Sequence, residues 1–423
     1  MSFSASAGTL WRVLAGTTYG SYTLGNLATS SGAWMLRLST GWLAWELTHS
    51  ATWLGVLAFA DLFPAIVCAP VAGVLADRMD RIVLLRRIMA VSIVVSALMA
   101  IAFYAGVLGI WTLSGLCLAQ GIVNSFSQPM RLTIVQELVR REDVAPAVAI
   151  NAMTFNIARF VGPMIAGSTI IFAGVGPTFL LNIVFIALFL LQLRKLEGPQ
   201  RNILQGGSVL ASAIDGIRYL VGQGTVLSLF IQATCVGFCI RPVAELLPAV
   251  SDYFFSAGAV GLTLLTASMG VGAILGGIWF AGLPTLDRVV TIISANGIIS
   301  VGAVCVLILS PWLTLGIAAM VVLGFTVVSS GIASQTTIQL IVDESQRGRT
   351  MSSYAMLVRA APALGALLIG VGAEFLNLRL ALALAMPICL VASLVLIARR
   401  LTIQNCLNEE ISQDDIFRTA GQT

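Results

Sequence analysis

Gly73-Val74-Leu75-Ala76-Asp77-Arg78-Met79-Asp80-Arg81, with Arg86 and Arg87 just beyond, sets a dense cluster of charge between two long apolar runs. The chain is 58% hydrophobic and 10% charged, so a cluster this dense is not an ordinary surface turn. It reads as a short cytoplasmic loop between two membrane-spanning helices. A sparser version recurs in the second half of the chain, at Gly282, Asp287 and Arg288.

The runs on either side are typical of the whole. A mean hydropathy of +0.96 over 423 residues leaves too little polar surface to cover a soluble globule. Apolar runs of about 20 residues, the length that crosses a bilayer core of about 30 Å, recur from end to end. They lack the alternation of membrane-spanning strands, so the fold class is an all-α membrane protein. Twelve spans are expected, at 22–47, 54–76, 83–105, 110–135, 148–173, 176–193, 225–250, 258–282, 289–309, 313–338, 351–374 and 379–398.

An even number of spans puts both termini on one face. Arg78, Arg81, Arg86, Arg87, Arg140, Arg141, Arg194, Lys195, Arg201, Arg218, Arg288, Arg347, Arg349, Arg399 and Arg400 all fall in one set of connections or at the C-terminal end. The alternate connections, around His49, Gly106, Gly174, Phe255 and Pro311, have no Lys or Arg, and Arg379 alone marks the last. The positive-inside rule then puts both termini and the charged loop in the cytoplasm. Beside that asymmetry the net charge of +4 says little.

The spans group into two six-helix bundles, residues 1–193 and 225–400, joined by a linker at 194–224 and followed by a polar, acidic tail at 401–423. Within the linker, Ser208 to Val221 is amphipathic and reads as a helix on the inner membrane surface. The halves resemble each other. Thr133-Ile134-Val135-Gln136 parallels Thr336-Thr337-Ile338-Gln339 at an offset of 203, Gly32 with Arg37 parallels Gly237 with Arg241, and Arg159 with Pro163 parallels Arg359 with Pro362. A duplicated unit explains that order most economically.

Several classes fall away. The seven cysteines are scattered through apolar runs and the tail without metal-ligand spacing, so no metal and no disulfide framework is expected. No cleaved signal pattern follows Arg12. No His-Glu-x-x-His or Gly-x-Ser-x-Gly pattern marks an enzyme, and no Gly-Lys-Ser/Thr loop marks a nucleotide-driven pump. Neither a cofactor nor nucleic acid is expected. Trp42, Trp45 and Trp53 read as an outer aromatic belt, and His49 as a plain loop residue.

Charge inside a span is costly and is usually functional or paired. Arg37, Arg159, Arg241 and Arg359 fall near the middles of the first, fifth, seventh and eleventh spans, Asp61 in the second, and Glu245 one turn beyond Arg241. Arginine suits a ligand with paired oxygen acceptors, because its fork binds them two at a time. The plainer reading makes Arg159 and Arg359 structural, bonded to backbone carbonyls. Arg241 and Glu245, at i and i+4, share a face that brings them within pairing reach. Pro242 and Gly237 predict a kink beside them. Glu245 and Asp61 are the carboxylates placed to carry a proton.

Twelve spans in two related halves, with Gly73-x-Leu75-Ala76-Asp77-Arg78-x-x-Arg81 after the second, resemble the major facilitator superfamily, although Asp80 stands where the pattern has its second glycine. Ser31-Gly32-Ala33-Trp34-Met35, Gln128-Pro129-Met130-Arg131, Gly162-Pro163-x-x-Ala166-Gly167 and Arg347-Gly348-Arg349-Thr350 are similar to its bacterial exporter branch that includes enterobactin exporters. That resemblance implies a monomeric secondary transporter of the bacterial inner membrane, with spans 1, 4, 7 and 10 lining a cavity. It also implies export of a small molecule, and alternating access driven by proton antiport is the expected mechanism. Gly73, Asp77, Arg78 and Arg81 would form a cytoplasmic gate that docks near Thr350. Arg37, Asp61, Arg159, Arg241, Glu245 and Arg359 are the candidate cargo and proton residues. The arginines favour an anionic or oxygen-rich cargo such as a siderophore; efflux of amphipathic drugs is the alternative.

Overall fold

The computed structural model describes residues 12–15, 17–196, 224–283, 288–342 and 344–404. The amphipathic stretch at 208–221, Asp287 and the tail beyond 404 lie outside the described residues. Every regular element among them is helical. In the first half these are α1 (Thr18–Thr48), α2 (Ala51–Leu62), α3 (Pro64–Arg78), α4 (Arg81–Tyr104), α5 (Ile110–Glu137), α6 (Val144–Ala173) and α7 (Gly176–Arg194). In the second they are α8 (Gly224–Cys235), α9 (Pro242–Glu245), α10 (Leu247–Phe255), α11 (Gly258–Ala281), α12 (Val289–Leu309), α13 (Leu313–Ile341), α14 (Glu344–Leu376) and α15 (Leu378–Ala398).

Two of the expected spans are interrupted, each at proline. The second is split at Phe63, where Pro64 opens α3. The seventh is a chain of short pieces: α8 runs into a π-turn at Val236–Ile240, then α9 and α10, each with a proline in its first turn. Pro242 offers no N–H to the carbonyl of Phe238, and the wider π-turn absorbs the mismatch. With those pieces joined, twelve spans are present among the described residues. Ten are long and apolar enough to cross a membrane. The exceptions, α1 (31 residues) and α5 (28 residues), are long enough but diluted by polar side chains. Both are site-bearing helices.

The chain forms two compact units, one gathering residues 1–49, 60–208 and 258–263 and the other residues 50–59, 209–257 and 264–423. In the first, α1 packs on α6 and α7, and α4 packs on α5 and α7. In the second, the α8 segment and its π-turn pack on α14 and α15, while α12 packs on α13 and α15. The start of α2 belongs with the second unit: Ser50 Oγ donates to Glu374, and Thr52 Oγ1 donates to the Gly370 carbonyl at 3.1 Å.

Lipid tails are as apolar as leucine, so helices in a membrane are held by close packing of small residues more than by hydrophobic exclusion. Glycine supplies that closeness here. A Cβ on Gly121 of α5 would lie 2.5 Å from the Ala60 carbonyl oxygen of α2 and 2.7 Å from that of Asp61. In the second unit Gly324 of α13 sits as tightly on the backbone of α11 at Met269. Gly162 of α6 lies on α1, where a Cβ would meet Trp34 Cβ at 2.7 Å, and Gly365 of α14 lies on the interrupted span at Phe238 and Pro242. Gly121 to Gly324 and Gly162 to Gly365 are both steps of 203 positions, the offset of the Thr-x-x-Gln pair. The duplication is therefore visible in the packing of each unit.

The tryptophans expected at a lipid belt are not all there. Trp42 and Trp45 are buried at 7% and 1% exposure. Trp42 Nε1 donates to Glu46 at 2.7 Å, and Trp45 meets the ring of His49 edge-on. A helix face packed against its own bundle has no lipid interface to anchor.

Substituting Gly121 by Leu overpacks a backbone contact and is expected to cost about 1–3 kcal/mol. Thermal unfolding in detergent should show a lowered midpoint for Gly121→Leu. Gly302→Ala, where an added Cβ meets nothing within 4 Å, should match the wild type.

Candidate functional site

Asn26, Ser30, Trp34 and Arg37 follow each other along α1 at intervals of four, four and three, so they form one stripe of the helix. Around the upper part of this stripe the first unit assembles three charged groups. Arg37 Nη1 lies 3.5 Å from Asp61 Oδ2, with both side chains about a quarter exposed, at 24% and 23%. That separation is longer than a tight charge-assisted hydrogen bond of about 2.7–2.9 Å, so this is an ion pair that a better acceptor can displace. Asp61 is in the last turn of α2, next to the break at Phe63. Gly121 lets α5 approach there, and Asn124 Nδ2 donates to Asp61 Oδ1 at 3.4 Å. Gln120 continues the chain: its Nε2 lies 3.4 Å from Asn124 Oδ1 and 2.9 Å from Ser92 Oγ.

Arg159 reaches the same place from α6. Gly162, one turn later, allows α6 to lie against α1 at Trp34. The Arg159 guanidinium then sits 5.4 Å from the centroid of the Trp34 ring, and that of Arg37 sits 5.6 Å from it. Cations within about 6 Å of an indole face are attracted by its quadrupole. Phe155, one turn before Arg159, meets Trp34 edge-on at 6.0 Å and is 43% exposed.

Lower on the stripe stands Arg131 of α5. Its Nη1 donates to Asn26 Oδ1 at 2.6 Å and lies 3.4 Å from Ser30 Oγ. The guanidinium lies 4.9 Å from the Phe189 ring centroid, with Met89 Sδ at 3.6 Å from Nη2. The residue is 8% exposed, and its Nε has no partner. Asn26 Nδ2 in turn donates to Asn151 at 3.2 Å, tying α1, α5 and α6 together.

The other candidates lie in the second unit. Arg241 stands between the π-turn and α9. Arg241 Nη2 is turned toward Gly331 of α13, with Tyr354 of α14 as its electrostatic neighbour. A shared helix face brings two side chains within reach but does not choose between them and a third neighbour. Glu245 closes α9, and Arg359 is exposed midway along α14. Uncharged polar pairs also lie within this unit, with Gln232 donating to Ser393 at 2.9 Å and Asn296 to Ser329 at 2.9 Å.

At the charged loop, Gly73, Asp77 and Arg78 occupy the last turns of α3, and their side chains lie outside the described residues. Asp80 is the N-cap of α4, accepting from Ile82 N at 2.8 Å and Val83 N at 3.0 Å. Its φ of −58° is open to any residue, so the backbone needs no glycine there. Arg81 forms a largely buried ion pair of 2.5 Å with Glu137 at the end of α5. Arg86 caps the end of α7, donating to the Leu193 carbonyl at 2.9 and 2.7 Å and to the Leu196 carbonyl.

Two residues quoted only as parts of motifs thus belong to the site. Trp34 joins two guanidiniums, and its place is foreshadowed by the spacing to Arg37. Arg131 is a buried cation of α5, and the signal for it was a charge within the span at 110–135.

Comparison with known proteins agrees with this architecture. Residues 9–418 match the major facilitator family described as transmembrane secretion effectors, and the chain belongs to it. Enterobactin exporter EntS of Shigella flexneri is 27% identical over 333 residues, which cover 77% of this chain and 76% of the exporter. The staphyloferrin A transporter of Staphylococcus aureus is 28% identical over 162 residues, only 38% of this chain and 41% of that protein's length. A solved peptide transporter superposes with a TM-score of 0.75 at 12% identity, covering 92% of this chain and 95% of that one, and so shares the fold. The protein is a multi-pass membrane transporter, not an enzyme.

The Arg81–Glu137 pair gives a double-mutant test. Arg81→Gln and Glu137→Gln should each lower the unfolding midpoint in detergent, since removing one partner of a buried pair strands the other, at about 3–5 kcal/mol. The double variant should unfold no lower than the worse single; additive losses would show that the two side chains act separately.

Proposed function

We propose that this major facilitator transporter is a secondary active exporter of a small anionic or oxygen-rich metabolite, of which a siderophore is the leading example. The observation that carries the reading is the pairing of Arg37 and Arg159 around Trp34 in a largely apolar bundle. Charge at mid-span is expensive, and a fork of donors aimed at paired oxygens repays it only when such a ligand arrives. The relatives named for enterobactin and staphyloferrin A agree with that class of cargo. Export proceeds by alternating access, with the protein in the bacterial inner membrane and both termini in the cytoplasm, as the arginine asymmetry of the loops favours.

An anion at Arg37 competes with Asp61 for one guanidinium, so cargo and a proton on Asp61 would arrive together. Exchange of proton for cargo is therefore assigned to Glu245, at the broken seventh span, with Arg241 beside it as a second cargo contact and Arg359 as a supporting charge. Gly73, Asp77, Arg78 and Arg81 form the cytoplasmic gate, and the Arg81–Glu137 pair braces it.

In cells lacking the protein and limited for iron, mass spectrometry of cells and medium should find a specific iron chelator retained inside. Wild-type protein should restore its release. Arg37→Gln and Arg159→Gln should abolish release while remaining in the membrane fraction, and Glu245→Gln should export without a response to an imposed pH gradient. An unchanged metabolite profile with new antibiotic sensitivity would favour drug efflux instead.

A further inference from the structure

The first unit holds more than two cations. Trp34 lies within cation–π distance of both Arg37 and Arg159, at 5.6 and 5.4 Å, and Phe155 closes edge-on against it at 6.0 Å. Like charges brought to one place repel; an indole face that attracts each of them allows the pair to persist. Phe155 lies on an open stretch of α6, where Met153 and Ile157 are exposed as well. Phe155 remains 43% exposed although it shares the α6 face that carries Arg159, one helical turn away. An apolar ring left open beside two guanidiniums is a surface on which a second ring can rest.

We propose that Trp34, Phe155, Arg37 and Arg159 form a single slot for a flat aromatic oxyanion, such as an aryl carboxylate or a catecholate. The ring of the ligand lies against Phe155 and the open edge of Trp34, while its oxygens take the guanidiniums and displace Asp61 from Arg37. Phe155 is the contact that reads aromaticity. Trp34 is a positioning residue for the arginines and also closes the wall of the slot. Aliphatic carboxylates engage the arginines but gain nothing from the ring. This inference rests on the reading of Arg37 and Arg159 as cargo groups, and narrows it to one chemical class.

The test uses full-length protein in lipid nanodiscs and two probes of similar size, benzoate and cyclohexanecarboxylate, which share a carboxylate and differ in the π-system. Isothermal titration should show benzoate binding about tenfold more tightly, the scale of one aromatic contact. Salicylate, with a second oxygen beside the carboxylate, should bind more tightly still. Phe155→Leu, which keeps an apolar side chain against Trp34 but removes the ring, should bring the two carboxylates to within about twofold by weakening benzoate only. Trp34→Phe should retain part of the preference, and Trp34→Leu should weaken both probes because the arginines lose their support. Equal affinity of the wild type for benzoate and cyclohexanecarboxylate, or an unchanged preference in Phe155→Leu, would overturn the slot. If that happens while Arg37→Gln and Arg159→Gln still weaken both probes, the arginine site survives without its aromatic selectivity. If the arginine variants bind both probes like the wild type, the cargo reading falls with it.

Discussion

Backbone-to-backbone contact at glycine is the constraint on which the rest of this protein depends. Without water to squeeze apolar faces together, two helices in lipid gain from each other mainly what close packing allows. Gly121 and Gly162 bring α5 and α6 nearer to their neighbours than any side chain would permit. Each of these approaches also delivers a polar group. Gly121 sets Asn124 beside Asp61, and Gly162 sets Arg159 beside Trp34. Fold and site are thus made by the same residues, and a larger side chain at either glycine acts on both.

Much of this was legible in order along the chain. Composition demanded a membrane protein, and the length of the apolar runs demanded helices; the span boundaries fell within a few residues, except where helices extend beyond the bilayer. α14 begins at Glu344, seven residues before the expected start at 351, because its first turns are polar and carry no hydropathy signal. The interruption of the seventh span was readable from Pro242, since a missing N–H is a local fact. The fate of Arg241 was not, because spacing along a helix cannot weigh Glu245 against groups on α13 and α14. Trp34 and Arg131 were hidden for a related reason: each gains its meaning from other helices, Trp34 from α6 and Arg131 from α1, α4 and α7.

The charged residues show how a bilayer interior tolerates cations. Arg131 is the extreme case, wrapped by Asn26, Ser30, Met89 and Phe189, with its Nε unpartnered. Amide and hydroxyl dipoles, a thioether and a ring face replace the water it has lost, each weakly. Arg37 is better compensated, by a carboxylate, yet that pair is looser. A tight, dipole-solvated cation holds three helices in register, whereas a loose ion pair can be exchanged. The same side-chain type therefore forms a fixed tie at the lower end of the stripe and an exchangeable ion pair two turns away.

Arg86 carries a consequence of another kind. By taking the last carbonyls of α7 at Leu193 and Leu196, it makes the C-terminal end of α7 and the N-terminal end of α4 one mechanical piece. Tension arriving along the chain beyond Leu196 is delivered to α4 before it can unwind α7. α1, which bears Trp34 and Arg37, meets that load through its packing on α7 and through the Thr29 hydroxyl, which donates to the Phe185 carbonyl at 3.3 Å. A pull on the end of α7 is therefore shared with α4 within the first unit.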